Sequence, residues 1–164
     1  TAQNATEEFD GTNWSNGGTL STARAYGGSG GTQTAALYFC GESINTGPIP
    51  SRIPNTSEEY NGSSWTAGGT VPARFTRLNG GGTQDACFRI GGSTGSAVVA
   101  TCDLYNGTSW ASAPSLGSAQ NWGNSGGTGS SSAIIGKGRG SSSYTLVTQL
   151  YTDTTFGVKN ITTS

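Results

Sequence analysis

Apolar residues in this chain fall in short runs, and none shows the 3.6-residue spacing of an amphipathic helix. The most apolar segments are Ala35 to Phe39, Ala86 to Ile90 and Ser132 to Ile135. Each follows a glycine-rich stretch, Gly30-Gly31-Thr32, Gly81-Gly82-Thr83 or Gly126-Gly127-Thr128, which reads as a turn leading into a strand. Each gives way later to a hairpin signal: an aromatic, Asp or Asn, Gly, two further residues, then Trp. The signal occurs as Phe9-Asp10-Gly11-Thr12-Asn13-Trp14, Tyr60-Asn61-Gly62-Ser63-Ser64-Trp65 and Tyr105-Asn106-Gly107-Thr108-Ser109-Trp110. A worn copy, Tyr151-Thr152-Asp153-Thr154-Thr155-Phe156, keeps the same step. Asx-Gly supplies the positive φ that a tight hairpin needs, so every copy predicts two strands with a ring on either arm.

The motifs begin at Phe9, Tyr60, Tyr105 and Tyr151, intervals of 51, 45 and 46 residues, the range of a four-stranded propeller blade. After each Trp a Gly/Ser/Pro connector carries one aliphatic residue, Leu20, Val71 or Leu116, expected to plug the interface between sheets. Ala23-Arg24, Ala73-Arg74 and Ala119-Gln120 then open a further strand bearing Tyr26, Phe75 or Trp122. Four strands per repeat and no helix predict an all-β chain. It reads as a single repeat domain over 1–164, with repeats at about 6–54, 55–99 and 100–146 and a closing hairpin at 147–164.

An apolar strand ending in Gly91-Gly92, an aromatic, a Trp a few residues on, and an Arg opening the next unit resemble the kelch repeat of β-propellers. The phrases Thr6-Glu7-Glu8-Phe9-Asp10-Gly11, Leu20-Ser21-Thr22-Ala23-Arg24 and Gly31-Thr32-Gln33-Thr34-Ala35-Ala36-Leu37 are similar to kelch-like arrays of phage and environmental virus structural proteins, often tail or appendage components. The resemblance spans residues 6 to 156. It implies about three four-stranded antiparallel blades plus an N-terminal half blade, in a structural or receptor-facing, non-enzymatic module of a virion appendage. The chain departs from the pattern where Cys40-Gly41 and Gly136-Lys137 replace the double glycine and Gln120 replaces the opening Arg. Three and a half blades do not close a ring, since propellers use about four to eight. Either more chain precedes Thr1 or identical chains complete one another. An intertwined β fibre is the architectural alternative, and a secreted lectin-like propeller with glycans in its inter-blade grooves is the functional one.

Composition narrows the chemistry. Charged residues make up 10% of the chain and balance to −1, so neither nucleic acid nor an anionic membrane surface is expected as a partner, and apolar stretches such as Ala35 to Cys40 and Ala97 to Ala100 are too short for membrane insertion. The expected partners are copies of the chain or other virion proteins, with a host-surface glycan as candidate ligand, on a virion or outside the cell. The chain has no histidine, which removes Ser-His-Asp and Cys-His catalysis and histidine metal sites; no cofactor or metal is expected. Glu7-Glu8 and Glu58-Glu59 recur one repeat apart, but the pleat splits neighbours to opposite faces, so a solvated outer strand is favoured over acid–base chemistry. Candidate ligand contacts are Trp122, flanked by Asn121 and Asn124, together with Arg24 and Arg74, for which structural pairing with carbonyls is the favoured reading. Trp14, Trp65 and Trp110 recur in every repeat and read as core, as do Tyr26, Phe75 and Trp122, of which Trp122 is the best candidate for an exposed stacking surface. A register pairing Cys87 with Cys102 would allow a disulfide; buried free thiols are the alternative, and Cys40 is expected to be free.

Overall fold

The computed structural model describes residues 2–43, 47–129, 132–136, 138–141, 144–145, 148–152 and 157–161. Every regular element among them is a strand. β1 (Glu7–Phe9) and β2 (Trp14–Asn16) form a hairpin with Phe9 opposite Trp14. β3 (Arg24–Ala25) precedes β4 (Gly28–Thr32) and β5 (Ala35–Phe39), and β6 (Glu42–Ser43) folds back onto β3. β7 (Ser57–Tyr60) and β8 (Trp65–Ala67) complete a four-stranded antiparallel sheet 1, ordered β4-β5-β7-β8. Sheet 2 repeats the plan with β9 (Asn79–Thr83), β10 (Ala86–Ile90), β11 (Cys102–Tyr105) and β12 (Trp110–Ala113). In sheet 3, β13 (Asn124–Gly129) and β14 (Ser132–Gly136) are joined by β17 (Thr148–Thr152) and β18 (Gly157–Ile161). Between them β15 (Gly138–Arg139) pairs with β16 (Tyr144–Thr145). Residues 153–156 of the worn fourth motif lie outside the described residues.

The glycine-rich stretches correct the sequence reading. They are not turns before a strand but the first strands themselves, β4, β9 and β13, and these pack side by side from sheet to sheet. Glycine is what allows it: a Cβ on Gly30 would sit 2.8 Å from Cys87 Sγ and 3.1 Å from the backbone of Gly81. Residues valued for weak strand propensity are thus placed where backbones approach too closely for side chains. The turn lies after them, at Gln33-Thr34 and Gln84-Asp85.

Period-two alternation then sorts each second strand between two cores. Leu37 and Phe39 join Cys87, Tyr105 and Trp110 between sheets 1 and 2, and Phe88 and Ile90 join Cys102, Ala133 and Ile135 between sheets 2 and 3. Each fully buried Leu or Phe contributes about 1.5–3 kcal/mol. Leu20, Val71 and Leu116 are buried as expected, their amides held by the carbonyls of Asn4, Asn55 and Ala100.

The Asx-Gly signals form four-residue loops rather than two-residue turns. Asp10, Asn61 and Asn106 each accept two backbone N–H groups through Oδ1, and Gly11, Gly62 and Gly107 take φ of 99°, 87° and 86°. The N–H groups of Asn13 and Thr12 hold the Asp10 carboxyl below its ordinary pKa. Exposure of the motif Trp follows its surroundings: Trp110 is buried, Trp65 half-buried and Trp14 68% exposed, so only the first departs fully from the expected core role.

The Cys87–Cys102 disulfide is not made, and all three cysteines are buried free thiols. In the observed register Ile90, not Cys87, lies opposite Cys102. Three residues apart on one strand means opposite faces, so the two sulfurs belong to different cores. Burial pushes the Cys40 and Cys87 thiols up to about 12.

Candidate functional site

Two buried guanidinium groups are the strongest electrostatic features, and they are structural. Arg24 bonds the Glu58 carboxylate and the carbonyls of Cys40 and Thr56, with its guanidinium 5.1 Å from the Tyr38 ring centre. In sheet 2, Arg89 bonds Asp103 at 2.6 Å, the Gly91 carbonyl at 2.6 Å and Thr101 Oγ1 at 3.1 Å, and lies 3.7 Å over the Phe75 ring. Strand register makes Cys40, Thr56, Glu58 and Tyr38 the counterparts of Gly91, Thr101, Asp103 and Arg89. The same place in the two sheets therefore holds a guanidinium and a ring, but the backbone positions supplying them are exchanged. Arg24 corresponds to Phe75, not to Arg74 as the sequence alignment has it. Arg74 is exposed and donates to the Ile53 carbonyl at 2.8 Å. The solvated-strand reading of the acidic pairs is corrected in the same way: Glu58 is buried in the Arg24 pair, while Glu8 and Glu59 accept the hydroxyls of Tyr60 and Tyr105.

The exposed cluster sits instead at the entrance to the first strands. Tyr26, Arg77 and Trp122 each lie two residues before β4, β9 and β13 and each adopts the left-handed conformation, at φ of 62°, 55° and 56°. Non-glycine residues pay about 1 kcal/mol or more there, and such positions concentrate at functional sites. Backbone bonds link them in series: Arg77 N–H donates to Tyr26 O at 2.8 Å and Trp122 N–H to Arg77 O at 3.1 Å. Tyr26 meets Trp122 edge-on at 5.2 Å between ring centres, and the Arg77 guanidinium lies 5.6 Å from the Trp122 ring centre. Both rings are nevertheless 51% exposed, which corrects the core reading of Tyr26 and of Trp122; Phe75 alone of the three is buried.

Beside this cluster lies a cleft of about 370 Å³ lined by Arg77, Ser93, Ser96, Asn121, Trp122 and Arg139. Asn121 is held by reciprocal backbone bonds to Arg139, at 2.9 and 2.7 Å. It is almost fully buried, yet its Oδ1 has no hydrogen-bond partner among the described residues. An acceptor left in that state costs about 1–3 kcal/mol. Arg77 shares Glu42 with Arg52, at 3.5 and 3.3 Å, whereas the Arg139 guanidinium makes no ion pair among the described residues.

Of the sequence candidates, then, Trp122 and Asn121 line one cleft, while Asn124 starts β13 away from it and Arg24 and Arg74 serve the scaffold. Sequence reasoning missed Arg77 and Arg139. For Arg77 a signal existed, since it stands two residues before Asn79 as Trp122 stands before Asn124. For Arg139, brought in by the two-stranded β15–β16 excursion, none did.

No protein-family model matches the chain, and no curated protein does. Among solved structures it is similar to YjhT, with a TM-score of 0.69 over 91% of this chain at 15% identity. A likeness at that identity shows the fold alone. The chain spans about half the length of YjhT, covering 49% of it.

Proposed function

We propose that the chain is a non-enzymatic recognition module of kelch-like β-propeller architecture that binds a saccharide in the Trp122–Arg139 cleft. The observation carrying this reading is the convergence there of an exposed ring and two guanidinium groups. An aromatic face suits the apolar side of a sugar ring, and Arg77 and Arg139 favour a carboxylate or sulfate. A sugar bearing an anionic group is accordingly the ligand class. Catalysis finds little support, because histidine is missing and the carboxylates best placed for it are engaged: Glu58 and Asp103 in ion pairs, Glu8 and Glu59 by tyrosines.

The setting we propose is a receptor-facing component of a virion appendage, a tail or fibre, assembled with copies of itself or other virion proteins and meeting a host-surface glycan. This setting rests on the phrase resemblance around Thr6–Gly11 and Gly31–Leu37. Titration of the protein with neutral and acidic oligosaccharides tests the binding reading. The expected result is saturable binding to acidic members, lowered at least about tenfold, or 1.4 kcal/mol, by Trp122→Ala and by Arg139→Gln. Binding that both variants retain, or no binding to any saccharide, refutes it.

A further inference from the structure

The chain contains four Asn-Gly pairs, Asn16-Gly17, Asn61-Gly62, Asn79-Gly80 and Asn106-Gly107. The glycine amide nitrogen of such a pair, unobstructed by a Cβ, is held next to the asparagine Cγ and can add to it. Three conditions favour the step: a glycine N–H without an acceptor, access for water, and donors for the negative charge that forms on Oδ1. The four pairs are equivalent in sequence, and the fold separates them. Asn16 ends β2 opposite Glu7, and Gly17 N–H is taken by the Thr6 carbonyl at 2.8 Å. Asn79 is buried at the start of β9, opposite Ile90. Asn61 and Asn106 are exposed at the tips of the outer hairpins, and the N–H groups of Gly62 and Gly107 have no acceptor among the described residues. Asn61 Oδ1 accepts the N–H groups of Ser63 and Ser64 at 3.0 Å each, with Ser64 Oγ at 3.5 Å. Asn106 Oδ1 accepts those of Thr108 and Ser109 at 3.0 and 2.9 Å, with Ser109 Oγ at 3.4 Å. Donors already aimed at a carbonyl oxygen stabilise the oxyanion formed when that carbonyl is attacked.

We infer that Asn61 and Asn106 are sites of spontaneous deamidation in the folded protein and that the aspartyl product keeps the loop. Gly62 N, its proton passed to water or hydroxide, bonds to Asn61 Cγ; the Cγ–Nδ2 bond breaks, ammonia leaves and a succinimide remains. Water then opens the ring. Cleavage between Cγ and the glycine nitrogen gives an aspartate in the original main chain, and cleavage at the main-chain carbonyl gives the isoaspartyl form. Gly107 and Asn106 react in the same way. The net change is one water consumed and one ammonia released, and each conversion adds one negative charge to a chain of net −1. The first hairpin shows that a carboxylate fits. Asp10 stands where Asn61 and Asn106 stand and accepts the N–H groups of Thr12 and Asn13 at 2.7 Å each, the shorter bonds expected of a charged acceptor. The isoaspartyl form carries an extra carbon in the main chain, so it does not present an acceptor to the same two N–H groups.

The test holds the protein at pH 8, in buffer and in urea, and follows amide and acid at all four pairs by peptide mass spectrometry of timed digests. In buffer, conversion at Asn61 and Asn106 is expected to run at least about tenfold faster than at Asn16 and Asn79; in urea the four rates converge. Asp10→Asn is expected to create a third reactive loop, because Gly11 N–H likewise has no acceptor among the described residues. The double variant Asn61→Asp, Asn106→Asp is expected to keep the denaturation midpoint of the parent, whereas protein enriched in isoaspartate melts earlier. Asparagines 61 and 106 that stay intact in buffer while reacting in urea overturn the inference, as do four equal rates in buffer or an Asp10→Asn loop that does not react. A lowered midpoint in the double variant overturns the retention of the loop by the product.

Discussion

The exchanged guanidinium and ring make a quantitative prediction. If sheets 1 and 2 hold the same site supplied from swapped positions, Arg24→Phe combined with Tyr38→Arg rebuilds in sheet 1 the arrangement of Phe75 and Arg89. Arg24→Phe alone leaves the Glu58 carboxylate buried without its cation, which costs about 3–5 kcal/mol. Tyr38→Arg alone crowds a second cation against Arg24 and removes the bond from Gly27 N–H to the Tyr38 hydroxyl at 3.2 Å. The double variant restores one cation per carboxylate, so the remaining loss is about the Gly27 bond, roughly 1 kcal/mol. Equilibrium denaturation followed by tryptophan emission gives the cycle, and recovery of at least about 2 kcal/mol relative to Arg24→Phe is expected. A double variant no more stable than Arg24→Phe refutes the equivalence of the two sites.

Three further outcomes are expected. Stability falls as pH rises from 9 toward 12: the Cys40 and Cys87 thiols, held up to about 12 by burial, and the Tyr105 hydroxyl, raised to about 12 by burial and then by its bond to Glu59, release protons more readily unfolded. Denaturation midpoints at pH 8 and 10.5 check this, and an aromatic disulfide reagent should find no reactive thiol in the native protein at pH 8. Gly30→Ala costs about 1–3 kcal/mol through its approach to Cys87 and Gly81, whereas Gly47→Ala, with 3.7 Å to Ser51, is near neutral by the same denaturation assay. In single-tryptophan variants, iodide quenches Trp14 most, Trp65 less and Trp110 least, following their exposure.

Much of this fold is legible in the sequence because its signals are local. Asx-Gly before Trp marks the outer hairpins, and Leu20, Val71 and Leu116 mark the seams, since a buried position in a repeat must stay apolar. The first strands escape such reading: glycine carries no hydrophobic period, and its reason for being there, the approach of β4 to β9, is tertiary. The guanidinium site escapes alignment for a related reason. One location in space is served by position 24 in one sheet and position 89 in the next, so column-by-column comparison pairs Arg24 with the wrong arginine. The cleft is half legible. Trp122 and Asn121 announce themselves by type, while Arg77 needs the left-handed register to be recognised and Arg139 needs the fold-back of β15 onto Asn121.

The series of main-chain bonds through Tyr26, Arg77 and Trp122 has a consequence for how this surface can change. The link between sheets there depends on amides and carbonyls, and a phenol, a guanidinium and an indole already occupy the three stations without altering it. Side chains at these stations are therefore interchangeable attachments on a fixed frame. A related chain can acquire a different ligand by replacing them while its sheets stay as they are, so divergence is expected to gather at this rim and leave the glycine strands beneath it untouched.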